Sequence, residues 1–567
     1  MTSPRHLLPT LCLVSAALSA LVLGPVLRSG HLLYRDAVST PRSFVTDPAL
    51  GLGDVAARAV PQDWVVATLS RLVDGGAVVA ALTFAALTLA GVGYGRMAIR
   101  LIPSARLSGA VAAALVAIWN PYVAERLLQG HWSLMVSYAA LGWIVVGAVE
   151  VMRRPGWPGW AQLAAATACA GFTPTGSILA AALLLVVLMI PLVRTRRWRQ
   201  IGTLCGIWLL GALPWLTATL VGTAPATTGS DGFTVFGARA ESGLGTVGTV
   251  LGLGGIWNAD AVPASRTIWW AAVATLLLLT VVAVGARWLW AHRDRHDRLI
   301  GALAVLAGVT ALAVTIAALG PVAAGLSRLA ADVPGVGLFR DTQKYLALMV
   351  PFFAVAAAAA VLAVRRWVPA GFALAATALL IAAPLPDLAW GVGGQIRTIT
   401  YPADWATVAR IVPADRGAVA VWPTGAVRRY AFTDVPSLDP LPRMVRAPVT
   451  DSGLLTVDGV VVDPASGRGA DVDAVLHHGG SPSSLAALGV GWVVVENHAP
   501  PTALAGRATA VFSGPDLTLY RIDDPVAGAG ASAASRAVVI SAHLLWSATV
   551  LLGVGAAMWA ARRRTPR

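Results

Sequence analysis

Long apolar runs alternate with polar connections along this chain, and no Asp, Glu, Lys or Arg falls inside any run. Twelve runs read as spans: 8–27, 76–95, 107–123, 132–149, 158–172, 176–193, 201–221, 268–286, 299–319, 346–364, 369–385 and 537–560. A helix needs roughly 20 apolar residues to cross a bilayer's hydrocarbon. The runs 107–123 and 158–172 are marginal by that measure, and a re-entrant path is open for them. The connections sort into two alternating sets. One is short and basic: Arg96, Arg100 and Arg106; Arg153 and Arg154; Arg194, Arg196, Arg197 and Arg199; Arg287, Arg293, Arg295 and Arg298; Arg365 and Arg366; and the tail Arg562 to Arg564. The other includes four long loops of mixed charge, 28–75, 222–267, 320–345 and 386–536. The positive-inside rule places the arginine clusters and both termini in the cytoplasm and the long loops outside.

The pattern predicts a polytopic α-helical membrane protein of about twelve spans. Residues 1–385 form the multi-span domain, 386–536 a small extracytoplasmic α/β domain, and 537–567 a final span with a basic tail. Within the insert, Trp405–Val412 and Ser484–Leu488 read as helices. Ala418–Trp422 and Trp492–Glu496 read as strands, and Ala508–Phe512 with Leu517–Ile522 as a hairpin around Gly514-Pro515. Pro436–Gly469 reads as ordered loop that covers something, and Ala527–Ser535 as a flexible linker.

Composition agrees with a membrane location. A mean hydropathy of +0.71 and 57% hydrophobic residues exclude a soluble globular protein. The formal net charge of +14 would suggest nucleic acid in a soluble chain. Here the arginines set topology and touch anionic headgroups, so no nucleic-acid partner is expected. Cys12, Cys169 and Cys205 all lie within runs, which predicts no disulfide and no Cys-based metal site. The first run continues through Val26, past any small-residue cleavage site, and reads as an uncleaved anchor.

The candidate chemistry lies in the outer connections. Asp36, in Tyr34-Arg35-Asp36 just past the first span, suits a general base that takes the proton of an acceptor hydroxyl as it attacks a sugar carried by a lipid phosphate; the alternative is a plain ion pair with Arg35 or another loop arginine. Asp47, Asp54 and Asp63 in the same loop are rivals. Asn120-Pro121, Glu125-Arg126 and His131-Trp132 put a carboxylate, a guanidinium, an imidazole and an aromatic in one short turn. Arg340 to Tyr345 contains Lys344, the only lysine of the chain. A compact ammonium is a point charge suited to a phosphate, and Arg340, four residues away, would share its helical face. Thr173-Pro174-Thr175-Gly176 reads as a plain turn, and His477-His478 as solvated. Gly-x-Ser-x-Gly elbows are lacking.

The layout resembles the polytopic GT-C glycosyltransferases of actinobacterial cell envelopes, arabinofuranosyltransferase- and mannosyltransferase-like. The resemblance rests on Tyr34-Arg35-Asp36, on the Asn120-Pro121 to Trp132 turn, and on Arg340 to Tyr345, which is similar to that family's Arg-x-x-x-Lys-[Phe/Tyr] motif before a span. The stretch from Tyr401-Pro402 through Leu441-Pro442 is also similar to the relatives' outer domain. Many members carry two acids in the first outer loop, where this chain has Asp36 alone.

The resemblance implies an enzyme of a bacterial inner membrane. It would move a sugar from a polyprenyl-phosphate donor to an envelope glycan or glycolipid, with inversion. Asp36 would be the base. Arg340, Lys344, Arg126 and His131 would hold the donor phosphate. Tyr34, Arg35, Asp47, Asp54, Asn120, Glu125, Trp132 and Tyr345 would line the substrate site. Some members use a divalent cation, and no two-carboxylate cluster identifies one here. The alternatives are a non-catalytic scaffold, whose 386–536 insert recruits envelope-assembly proteins, and a flippase or transporter of lipid-linked sugar. Ion-coupled transporters usually keep ionisable groups in their spans, which weighs against the last.

Overall fold

The computed structural model describes residues 4–154, 156–224, 229, 231–295, 298–526 and 530–564, so residues 527–529 of the expected linker lie outside the described residues. Each of the twelve apolar runs carries helix. Among the described residues, nine helices are long and apolar enough to cross a membrane. Two bent pairs, Thr342–Leu348 with Val350–Val364 and Ala370–Ala382 with Pro386–Gly394, bring the number to as many as 11. The expected span 158–172 is the 14-residue helix Trp157–Ala170, which at 1.5 Å per residue is about 21 Å long, short of the roughly 30 Å of hydrocarbon.

The helices overrun their apolar runs at the basic ends. Gly75–Leu101 takes in Arg96 and Arg100, and Trp132–Arg153 takes in Glu150. These charges have partners near the ends: Arg96 lies over the Trp143 ring at 5.3 Å, and Arg100 pairs with Glu150 at 3.6 Å. Small residues bring these two helices together. A Cβ on Gly142 would stand 2.8 Å from the Tyr94 backbone nitrogen, so the close approach requires glycine.

The run 107–123 breaks. Helix Arg106–Ile118 ends, and a second, buried helix follows at Pro121–Leu128. Asn120 caps it: its side-chain oxygen accepts from the Val123 N–H at 3.0 Å, with Pro121 in the first helical position. At the other end Gly130 takes φ +88. The Gly130 N–H donates to the Leu127 carbonyl at 2.9 Å and the His131 N–H to the Arg126 carbonyl at 2.8 Å. This is a Schellman closure. The segment expected as a short turn is therefore a capped helix, and the closure fixes where His131 stands.

The 386–536 insert holds most of the strands. The first loop contributes β1 (Leu33–Tyr34) and β2 (Ala37–Val38), an antiparallel hairpin whose turn is Arg35-Asp36. The insert contributes β3 (Ala418–Trp422), β4 (Val427–Arg428), β5 (Ser437–Leu438), β6 (Leu455–Val457), β7 (Val460–Asp463), β8 (Val490–Glu496), β9 (Thr509–Ser513) and β10 (Leu517–Arg521). Its main sheet has the order β3-β8-β10-β9, with β3 parallel to β8 and the rest antiparallel. Val419, Val421, Trp492 and Val494 face one apolar cluster, while Ala420, Val493 and Val495 face another, the period-2 alternation of a sheet covered on both faces. The first cluster also contains Leu33 and Val38, so the hairpin from the first loop is part of the insert's core.

The expected insert elements all appear, at Ala403–Ile411, β3, Pro482–Ala487, β8, β9 and β10. A helix at Gly467–His477 was not expected. It places His477 against Thr424 at 2.7 Å and the Trp422 ring, while His477 and His478 stay exposed, as the solvated reading expects.

Candidate active site at the insert end of the helices

The turn that carries Asp36 is clamped from two sides. The Arg35 N–H donates to the Pro436 carbonyl at 2.7 Å, and the Leu438 N–H donates back to the Arg35 carbonyl at 2.8 Å. Opposite, the Asp36 N–H donates to the Gln129 carbonyl at 3.1 Å. Arg35, at φ 44, donates through its side chain to the carbonyls of Leu128 and Asp260. The Tyr34 hydroxyl donates to the Leu127 carbonyl at 2.9 Å. Tyr34 and Arg35 thus hold the turn against the end of helix Pro121–Leu128. A Cβ on Gly130 would stand 2.3 Å from the Ala37 nitrogen, so glycine is needed here for close approach as well as for its φ.

Around Asp36 the structure gathers residues from three distant segments. His131 Nε2 lies 2.8 Å from Asp36 Oδ2, and the Gln129 amide donates to the same oxygen at 3.4 Å. Arg126 Nη1 lies 3.2 Å from His131 Nδ1. Arg126 forks onto Asp341, Nη1 to Oδ2 at 2.7 Å and Nη2 to Oδ1 at 3.0 Å, and both its Nε and Nη2 donate to Gln343 Oε1. Lys344 Nζ stands 3.5 Å from Asp341 Oδ2. The Gln343 amide donates to Glu125 Oε2 at 2.8 Å, and Glu125 accepts the backbone N–H groups of Gly255 and Ile256, both at 3.1 Å.

Exposure separates the members that can meet a ligand from those that support them. The side chains of Asp36 and Lys344 are 39% and 23% exposed, His131 14%, and Arg126 0%. With its three nitrogens engaged and no surface, Arg126 cannot reach a departing phosphate unless its partners move. Glu125 anchors the 253–256 loop.

The electrostatics follow from this packing. Burial pushes the Asp36 carboxyl up, but the hydrogen bond and charge of His131, the charge of Lys344 and the Gln129 amide outweigh it, and the net shift is downward. Burial and the Lys344 charge push the His131 imidazole down, more than Asp36 pulls it up. Burial also opposes ionisation of Asp341, yet Arg126 and Lys344 hold it well below the usual carboxylate range.

The other expected residues are dispersed. Arg340 does not share a face with Lys344: the chain breaks at Asp341 before the 3-10 turn Thr342–Leu348. Arg340 instead donates to Asp463 at 2.7 Å and lies over the Phe236 ring at 4.5 Å. Asp463 also takes Arg58 at 3.0 Å, which ties the first loop to the insert. Asp47 pairs with Arg536, Asp54 with Arg468 and Asp63 with Arg443. Asn120 is the helix cap described above. Trp132 is buried, edge-on to Phe172, and the Tyr345 hydroxyl donates to the Leu338 carbonyl while its ring stacks on Phe339. Thr173 caps the helix Pro174–Leu184, accepting from the Gly176 N–H at 3.0 Å.

Asp341, Gln343 and Gln129 belong to the site and were not singled out. For Asp341 and Gln343 the only sequence signal was the stretch Arg-Asp-Thr-Gln-Lys before an apolar run, and for Gln129 its place in Gln129-Gly130-His131-Trp132. The site does not suit a divalent cation. Asp341 gives both oxygens to Arg126, the Lys344 ammonium opposes a second positive charge, and among the described residues no group of three or more His, Cys, Asp or Glu is disposed to hold a metal.

The fold is similar to solved membrane enzymes. Arabinofuranosyltransferase AftD from Mycobacteria, determined by single-particle cryo-EM, matches with a TM-score of 0.57 at 17% identity, over 94% of this chain and 40% of that one. A mutant of AftD matches with a TM-score of 0.55 at 15% identity, over 92% and 42%. The chain therefore spans about two-fifths of the length of these AftD chains. No protein-family model matches the sequence, and no curated protein matches it. The architecture is that of a polytopic, multi-pass helical membrane protein with a small α/β insert, similar in fold to the AftD chains.

Proposed function

We propose that the protein is an inverting glycosyltransferase of a bacterial inner membrane. It transfers a sugar from a polyprenyl-phosphate donor to an envelope glycan or glycolipid on the outer face, with both termini cytoplasmic and the 386–536 insert outside. One observation carries the reading. A partly exposed carboxylate, Asp36, and the chain's single lysine, Lys344, stand at the two ends of one line of contacts through His131, Arg126 and Asp341, at the insert end of a GT-C-type bundle.

The chemistry needs both groups. An acceptor hydroxyl oxygen attacks the anomeric carbon from the face opposite the phosphate, and its proton passes to Asp36. The bond from the anomeric carbon to the phosphate oxygen breaks, and its electron pair leaves with the polyprenyl phosphate. Lys344 stabilises the charge that gathers on that oxygen, an effect that grows where water is scarce. The downward shift of Asp36 keeps it ionised at neutral pH, the state a general base starts from.

The test is sugar transfer by purified protein in detergent, using a labelled polyprenyl-phosphate sugar. Asp36→Asn should lower turnover about 10²–10⁴-fold, the usual weight of a general base, without changing the unfolding temperature. Wild-type turnover by that variant would remove Asp36 as base. Donor binding without transfer by the wild type would favour a scaffold or a lipid-linked-sugar carrier.

A further inference from the structure

The hydrogen bonds running from Asp341 to Asp36 have only one consistent direction. A guanidinium donates and never accepts. Arg126 Nη1 lies 3.2 Å from His131 Nδ1, so Nδ1 must carry a lone pair. A neutral imidazole then holds its proton on Nε2, and Nε2 is the atom 2.8 Å from Asp36 Oδ2. The opposite tautomer would set N–H against N–H at one end and a lone pair against a carboxylate at the other.

Arg126 cannot turn away, because Asp341 and Gln343 occupy its remaining donors and it has no exposed surface. The groups facing His131 are Asp36, Lys344, Arg126 and Asp341, and the two cations discourage a second proton on the ring. Gln129 adds a second donor to the same oxygen. The Asn258 amide donates to Gln129 Oε1 at 2.8 Å, which turns the Gln129 NH₂ toward Asp36. Both side-chain donors therefore fall on Oδ2, and among the described residues none is recorded against Oδ1.

We propose that His131 is a positioning residue: held by Arg126 as the tautomer protonated on Nε2, it occupies Asp36 Oδ2 and reserves Oδ1 for the proton of the acceptor hydroxyl. This rests on Asp36 being the base. It gives His131 and Arg126 a role other than phosphate binding. In the transfer step the acceptor's O–H proton goes to Oδ1 as its oxygen bonds to the anomeric carbon and the phosphate leaves. His131 keeps its own proton throughout.

Two measurements test it, both on the full chain in detergent. The first needs no turnover. In protein labelled with ¹⁵N-histidine, the His131 resonances are identified among the nine histidines by their loss in His131→Gln. At pH 7 they should show Nε2 protonated and Nδ1 bare. A protonated Nδ1 would overturn the proposal.

The second is the pH profile of transfer. Removing the His131 donor takes away a contact that lowers the Asp36 pKa, so in His131→Leu the acid limb of kcat should move to higher pH. The kcat at neutral pH should fall about ten- to a hundredfold, the weight of a hydrogen bond to a charged group, with KM for the donor unchanged. His131→Gln keeps an N–H donor and should recover part of both effects. If Asp36→Asn abolishes transfer while His131→Leu leaves the acid limb and kcat unmoved, the positioning role is wrong and the base stands. If transfer survives Asp36→Asn, the base reading falls and this proposal falls with it.

Discussion

Arg126 and Asp341, 215 residues apart, meet through two guanidinium nitrogens and both carboxylate oxygens, and the Arg126 side chain has no contact with solvent. A buried pair of this kind contributes little net stability over an apolar replacement, but removing one partner strands a charge. Asp341→Ala should therefore cost about 3–5 kcal/mol, read as a lower unfolding temperature in detergent. Asp341→Asn keeps an acceptor for Arg126 and should cost less. Equal stability of Asp341→Ala and wild type would mean that the pair does not organise this end of the bundle.

Lys344 has a different exposure and a different expectation. If it meets the donor phosphate, Lys344→Ala should weaken donor binding by about ten- to a hundredfold, the loss of a charge-assisted contact. Lys344→Arg should recover only part, because a planar fork does not fill the place of an ammonium. Titration of a polyprenyl-phosphate sugar against the three proteins decides this. Unchanged affinity in both variants would leave Lys344 as a partner of Asp341 alone.

Gly130 links a backbone requirement to the chemistry. Its φ of +88 disfavours any side chain, and a Cβ would press on the Ala37 nitrogen at 2.3 Å. Gly130→Ala should cost on the order of 1–3 kcal/mol in strain and displace the Asp36 turn. Transfer should fall while the far-ultraviolet circular dichroism keeps its helical form. Full activity in Gly130→Ala would show that the turn tolerates movement.

Orientation is open to direct labelling. With Cys12, Cys169 and Cys205 replaced by alanine, Thr195→Cys should resist an impermeant thiol reagent in intact cells, and Val460→Cys should react. Both positions are exposed, one at an arginine-rich turn and one on the insert. The reverse labelling pattern would invert the topology.

The sequence made the helices legible because apolar runs have to be long to cross a bilayer. It placed their ends less well, because Arg96 and Arg100 find a ring and a carboxylate near the helix end and let the helix run on. The strands β3 and β8 were readable as β-branched runs, whereas their parallel pairing joins residues such as Val421 and Val494 that no local period connects. Asn120-Pro121 and Gly130 are start and stop signals of a helix, yet eight residues between aromatics read more naturally as an interfacial turn. Asp341 escaped notice because, between Arg340 and Lys344, it looks like a local neutraliser. Its main partner, Arg126, lies 215 residues away.

The clamp on the Asp36 turn also has a consequence in time. The hairpin that carries Asp36 shares a core with the insert and bonds to Pro436 and Leu438, about 400 residues further along the chain. At synthesis rates of roughly 5–20 residues per second, that interval is about 20–80 s. Asp36 is made early, but Pro436 and Leu438, which hold its turn, are made about 400 residues later. A nascent chain that stops short of Pro436 would carry Asp36 on a turn without its Pro436–Leu438 clamp, so the geometry around this carboxylate is completed only once that segment has been made and folded onto it.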